Sequence, residues 1–251
     1  MELSGNQRLI DNLTARKQQH TMSMNKTNLV AGILLVTSPL IVGNSVAQSM
    51  DADPSAIKIS QEIRAELDAR IAKIHADERS RLLAIEEGRA RTVLCATCHG
   101  KDGKSVREGS PNLAAQNAAY MVDQFQRFAD GRRNDFLMSN LAQTMEQEDI
   151  INISIYYADL PEQTFGGGRS DLIPEGKRLF LERCASCHGE DGRSSEGYAK
   201  LAGQRPDYTV KMLQDFKSQS GRRSNPWMTG VSVGLSNQQM EAIAAYLANM
   251  E

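Results

Sequence analysis

CATCHG occupies residues 95–100 and CASCHG residues 184–189, and together they hold all four cysteines of the chain and two of its four histidines. Two close cysteine pairs at matched spacing are open to four chemistries: local disulfides, zinc sites, redox dithiols or covalent haem attachment. The histidine directly after each pair discriminates among them. Two thiols one helical turn apart can form thioether bonds to the two vinyl groups on one porphyrin edge, and the adjacent imidazole then comes under the iron as a proximal ligand. A zinc site needs four nitrogen or sulfur ligands in one tetrahedron, and pooling both motifs to supply them would leave the rest of the sequence pattern unexplained. A thioredoxin-like dithiol requires a βαβ context, and local disulfides give the histidines no role. The spacing therefore predicts two covalently bound haem c groups, one on Cys95, Cys98 and His99, the other on Cys184, Cys187 and His188.

The likeness of the two halves extends well beyond the cysteines. EEGRARTVLCATCHGKDG lies over PEGKRLFLERCASCHGEDG, and NLAAQNAAYMVDQFQRF (112–128) over KLAGQRPDYTVKMLQDF (200–216). Further on, Gly131-Arg132-Arg133 matches Gly221-Arg222-Arg223, Met138 matches Met228, and EDIINISIYYADL (148–160) matches QQMEAIAAYLANM (238–250). A fixed period of this kind marks a duplicated structural unit. Between the copies stands PEQTFGGGRSDLIP (161–174), glycine-rich and bounded by prolines, which reads as a linker.

Within each copy the apolar period is helical. Ile150, Ile153 and Tyr157, like Met240, Ile243 and Leu247, recur at three- and four-residue spacing and predict closing helices. Leu113 to Phe128 and Leu201 to Phe216 predict middle helices. No run alternates as a strand does, so the fold class is all-α. Ahead of the first copy, Ile59, Ile63, Leu67, Ile71 and Ile74 form a narrow stripe on a charged helix over 55–80. That helix either packs against the first domain or serves as a docking surface.

From Asn25, NKTNLVAGILLVTSPLIVGNSVAQS has the layout of a secretory signal: a lysine, an apolar run from Leu29 to Gly43, and Ser45-Val46-Ala47 as a cleavage site. The run is shorter than the roughly 20 apolar residues of a spanning helix. The long polar stretch ahead of it points to Met22 or Met24 as the true start. The chain thus divides into a signal peptide (1–47), a charged amphipathic helix (48–84), a first domain (85–160), a linker (161–173) and a second domain (174–251). This organisation predicts a periplasmic protein, with tethering by an uncleaved signal as the alternative. Removing 1–47 takes away Arg8, Arg16, Lys17 and Lys26 against Glu2 and Asp11, which moves the formal charge from −2 to −4. That balance offers nucleic acid no basic patch.

Each iron needs a sixth ligand, and the repeat selects it. Met121 aligns with Thr209, Met145 with Leu235 and Met240 with Ile150, whereas Met138 and Met228 coincide. A thioether is a soft ligand that raises the reduction potential, and it closes the coordination sphere. A saturated iron moves electrons and has no open position for a small-molecule substrate.

These residues resemble class I cytochromes c, specifically the two-domain, di-haem cytochrome c4 type, over about Glu87 to Met250. The resemblance is carried by CATCHG and CASCHG, PNLAAQ (111–116), AKLAGQ (199–204), GRR in both copies and MTGVSVGLSNQQMEAIAAYL (228–247). It implies two tandem class I cytochrome c domains related by an approximate two-fold axis, with axial pairs His99/Met138 and His188/Met228. It also implies a loop carbonyl behind each histidine, at Pro111 and, in the second copy, Ala199. Arg132, Arg133, Arg222 and Arg223 would pair with haem propionates or form a solvated basic face. The expected activity is single-electron transfer between redox protein donors and acceptors, such as a membrane-bound quinol-oxidising complex and a terminal oxidase or reductase. The alternatives are a haem subunit of a larger oxidoreductase (a flavocytochrome or an oxidase) and, behind it, a di-haem peroxidase.

Overall fold

The computed structural model describes residues 54–194 and 197–250, with side chains from residue 65 onward. The expected signal peptide, 1–47, lies outside the described residues. Among these residues there are eleven α-helices and no strand, apart from one isolated antiparallel bridge between Arg133 and Arg223. A leading helix α1 (Pro54–Ala76) is followed by α2 (Glu78–Arg91), a one-turn α3 (Ala96–His99), α4 (Ala118–Ala129), α5 (Phe136–Thr144) and α6 (Gln147–Asp159). The second copy repeats the order: α7 (Ile173–Arg183), α8 (Ala185–His188), α9 (Pro206–Ser218), α10 (Pro226–Val233) and α11 (Asn237–Ala248).

In each copy the first and last helices cross closely, α2 on α6 and α7 on α11. Glycine makes the crossing possible. A Cβ on Gly88 would overlap the Asn152 carbonyl, and one on Gly176 the Ala242 carbonyl. Around the crossings lie Met121, Ile153, Tyr156 and Tyr157 in the first copy, and Leu179, Phe180, Leu213, Leu235, Met240, Ile243 and Leu247 in the second.

The charged helix expected as one piece over 55–80 is two helices. Asp77 is extended (φ −115°, ψ 111°) and its Oδ2 accepts the Ser80 N–H at 2.8 Å, capping α2 and ending the helical run. Helix α2 then continues to Arg91 and supplies buried Ala84 and Gly88 to the first copy. Helix α1 packs against the same copy. Leu67 and Ile71 are buried with Ala118, Val122, Ile150, Ile151 and Ile155, at about 1.5–3 kcal/mol for each large side chain fully buried. The packed alternative is therefore realised at Leu67, Ile71 and Ile74.

The linker covers the corresponding face of the second copy. By the internal alignment Ile151, Ile155 and Ala118 correspond to Glu241, Ala245 and Pro206. Gly168 approaches Ala245 and Pro206, and Arg169 pairs with Glu241. Gly166 donates to the Ala248 carbonyl at 2.7 Å, and Asn249 Nδ2 to the Gly167 carbonyl at 2.8 Å. Gly166, Gly167 and Gly168 all have φ between 76° and 80°, a backbone that favours glycine. The linker also bridges the copies: Phe165 lies under the guanidinium of Arg205 at 4.5 Å, and Lys104 donates to the Thr164 carbonyl at 3.0 Å. Helix α7 starts at Ile173, with Pro174 in its first turn, where a missing N–H costs nothing.

Candidate functional site

Each C-x-x-C-H motif forms a single helical turn. In the first, the His99 N–H donates to the Cys95 carbonyl at 2.9 Å; in the second, His188 donates to Cys184 at 3.0 Å. Gly100 and Gly189 then leave the helix at φ 78° and 77°. None of the four cysteines is in a disulfide, and among the described residues no three His, Cys, Asp or Glu side chains gather as a metal-ion site. The two motifs thus do not pool into one tetrahedral zinc site.

Both imidazoles are buried, 9% exposed, and both are held from behind. His99 Nδ1 is 2.9 Å from the Pro111 carbonyl oxygen and His188 Nδ1 is 2.9 Å from that of Ala199. A carbonyl can only accept, so each Nδ1 carries the proton and Nε2 is left as the atom able to ligate a metal. Burial holds both imidazoles below the usual histidine range, in the neutral form that ligation requires. The carbonyl behind His188 is present even though Ala199 replaces proline. Burial pushes the Cys95 thiol up and Cys184 to about 11, whereas the Arg107 guanidinium, 3.5 Å from Cys98 Sγ, draws that thiol down.

Met138 and Met228 stand at matching positions in α5 and α10, both partly buried. A cap fixes each of these helices through the methionine's own backbone. Asp135 Oδ1 accepts the Leu137 and Met138 N–H groups, both at 3.1 Å, and Asn225 Oδ1 accepts the Met228 N–H at 3.1 Å. Asp135 also lies close enough to Cys98 and His99 to act electrostatically on both. In the second copy Cys184 and Met228 border one apolar cluster. The capping pair was in register in the sequence, as NDFLM over SNPWM, and this match could have identified it.

The donor set fits a covalently attached haem. No disulfide ties up the cysteines, a neutral imidazole offers Nε2 in each copy, and each copy carries a methionine on a capped helix. Apolar side chains also stand exposed on the motif and on the methionine helices: Val93, Leu94, Phe136, Leu137, Trp227 and Val233. They suit the face of a porphyrin.

The four arginines divide between two fates. Arg132 lies on Asp130 at 2.6 Å and Arg222 is exposed. Arg133 and Arg223 turn into the seam between the copies. Arg133 donates to Gln124 Oε1 at 2.8 Å and to the Tyr208 hydroxyl at 2.9 Å; Arg223 donates to the Tyr120 hydroxyl at 2.7 Å. A uniformly solvated basic face is therefore corrected for these two.

A C-x-x-C-H turn with its histidine held by a loop carbonyl, inside a duplicated all-α fold, defines a c-type cytochrome. The cytochrome c family model matches residues 173–251. Cytochrome c4 of Thiocapsa roseopersicina is 30% identical over 169 residues, covering 62% of this chain and 87% of that protein. The thiosulfate dehydrogenase electron acceptor of Thiomonas intermedia is 30% identical over 172 residues, covering 61% and 77% respectively. The crystal structure of reduced recombinant cytochrome c4 from Pseudomonas stutzeri matches with a TM-score of 0.60 at 29% identity, over 66% of this chain and 98% of that one. The chain belongs to the two-domain, di-haem cytochrome c4 family, whose members are electron carriers with covalently bound haem c. Among the described residues no helix is long and apolar enough to cross a membrane.

Proposed function

We propose that this chain is a periplasmic electron carrier with two haem c groups, one bound through Cys95 and Cys98 and the other through Cys184 and Cys187. His99 with Met138, and His188 with Met228, would hold the two irons. The observation that carries this reading is the same 2.9 Å bond behind both motif histidines, which fixes the tautomer and turns Nε2 into the donor. Haem iron so ligated supplies a one-electron couple with a raised potential. The protein's part is to hold the imidazole neutral and oriented, to anchor each methionine helix by its cap, and to leave no position for substrate. Its partners are redox proteins, with a quinol-oxidising complex as donor and a terminal oxidase or reductase as acceptor.

Absorption spectra and a redox titration of the exported protein test this. Two low-spin haems are expected, and Met228→Ala removes the sulfur-to-iron band of one haem only. A variant that keeps both bands overturns the assignment.

A second reading, a haem subunit or dedicated acceptor of a larger oxidoreductase, is favoured by the relative that accepts electrons from thiosulfate dehydrogenase. Its test is co-isolation with a stoichiometric partner from native membranes.

A further inference from the structure

The peptide group behind each motif histidine has two ends, and each end is used. In the Pro111–Asn112 peptide the carbonyl meets His99 Nδ1 at 2.9 Å, while the N–H donates at 2.7 Å to Oε1 of Gln204, which belongs to the other copy. In the Ala199–Lys200 peptide the carbonyl meets His188 Nδ1 at 2.9 Å, and the N–H donates at 2.8 Å to Oε1 of Gln116 in the first copy. Each glutamine closes a second bond on the same residue: Gln204 Nε2 donates to the Asn112 carbonyl at 3.1 Å, and Gln116 Nε2 to the Lys200 carbonyl at 3.0 Å. Both glutamines are buried, 6% exposed. A glutamine at the end of the L-A-x-Q segment thus grips the loop that holds the other copy's imidazole.

We infer that Gln116 and Gln204 are positioning residues that act crosswise, each setting the donor strength of the opposite copy's motif histidine through one shared peptide group. The physical link is hydrogen-bond polarisation. An N–H engaged by a good acceptor moves peptide electron density onto the carbonyl oxygen, which then accepts more strongly from Nδ1–H. A stronger bond there makes the imidazole a better electron donor to a metal at Nε2, which favours the oxidised state and lowers the potential. Each half of the molecule therefore holds its partner's potential down through one glutamine and one peptide group, the glutamine oxygen being fixed in its own copy by the next residue's N–H, Asn117 at 3.0 Å and Arg205 at 2.9 Å. Their burial keeps water from substituting for the amide.

The inference rests on His99 and His188 being axial ligands. The test is redox titration of the full holoprotein, following each haem by its own NMR signals. Gln204→Met removes the acceptor and is expected to raise the potential of the haem in the first copy. The rise is at most about tenfold in its reduction equilibrium, ~59 mV for one electron, and leaves the second copy's haem in place. Gln116→Met is expected to do the converse. Gln204→Glu keeps an acceptor oxygen on the Asn112 N–H and should return the first haem to its native potential or below. A shift in the variant's own copy, equal shifts in both, or none overturns the inference.

Native protein gives a readout that does not depend on a variant folding. In the reduced state, scalar coupling across the bonds from Asn112 N–H to Gln204 and from His99 Nδ1–H to Pro111 is expected, and its absence overturns the relay. Failure of the axial reading looks different: His99→Ala and His188→Ala would then leave the low-spin spectrum intact.

Discussion

Arg133 and Arg223 meet across the seam between the copies, joined by an antiparallel backbone bridge, with both guanidiniums on the hydroxyl of Tyr208 at 2.9 and 3.4 Å. The two like charges also share Gln124 Oε1, which accepts from Arg133 at 2.8 Å and from Arg223 at 3.2 Å. Burial alone would push the Tyr208 hydroxyl up, but the two guanidiniums outweigh it and hold it below the ordinary tyrosine range. The flat faces are used as well: Arg133 stacks on Phe128 at 4.3 Å and Arg223 on Phe216 at 4.8 Å.

Tyr208→Phe removes that acceptor from both arginines and should cost about 1.5–3 kcal/mol, the range for hydrogen bonds to charged groups. Tyr120→Phe removes the Arg223 bond alone and should cost less. Urea midpoints of the two variants, at unchanged slope, check the order. Equal losses would mean that the shared hydroxyl is not what reconciles the two charges.

Gly88→Ala and Gly176→Ala strike the helix crossings. Besides the carbonyl overlaps, the new methyl would stand 2.8 Å from Tyr156 Cβ in the first copy and 2.9 Å from Tyr246 Cβ in the second. The obstacles are backbone and Cβ atoms that cannot rotate away, so each variant should lose about 1–3 kcal/mol or more. Calorimetry of each variant reads this directly.

Much of the molecule was legible because duplication acts as an internal control. Cys95 with Cys184, and Met138 with Met228, which the proposed ligation uses, stay in register while many of their neighbours differ. The helical period predicted α6 and α11 from their apolar faces. It extended the middle helices too far back, because Leu113 and Leu201 are apolar but lie in loops: both donate to a glycine carbonyl, Gly103 at 2.8 Å and Gly192 at 2.7 Å. Helices α5 and α10 escaped notice because they are short and rest on the caps Asp135 and Asn225 more than on a stripe. The break at Asp77 was hidden for a related reason, since one capping side chain outweighs a charge pattern that runs through it. The seam was the least legible part. Nothing in GRR says that its last arginine turns inward, because that depends on Tyr120, Tyr208 and Gln124 arriving from elsewhere in the fold.

Ala115 carries a strain that its counterpart avoids. It sits at φ 53° and donates to the Tyr157 carbonyl at 2.9 Å, while Gly203 at φ 69° donates to Leu247 at 2.8 Å. A left-handed residue with a Cβ costs roughly 1–2 kcal/mol, partly offset by the greater chain entropy of glycine when unfolded. Ala115→Gly should therefore stabilise the protein by about 0.5–1 kcal/mol. Gly203→Ala should destabilise it by more than that gain, because its Cβ would also overlap the Gln163 carbonyl. Opposite signs in thermal melts are the expected result.

Acid should loosen the seam through Asp207. Its Oδ2 accepts the Gly109 N–H of the other copy at 2.7 Å, and Arg205 donates to the same carboxylate at 2.9 Å. Burial raises its pKa, but Arg205 and Gly109 together bring it below the ordinary 3.8. A carboxylate depressed in the folded state binds fewer protons there than in the unfolded chain, so its stabilisation is present above 3.8 and fades as pH falls through the lower, folded value. The melting temperature of the native protein should drop over that acidic window. Asp207→Asn keeps the shape but has no charge to lose, so its curve should start lower at neutral pH and fall less steeply below pH 3.8. Parallel curves would show that this carboxylate does not couple the two copies.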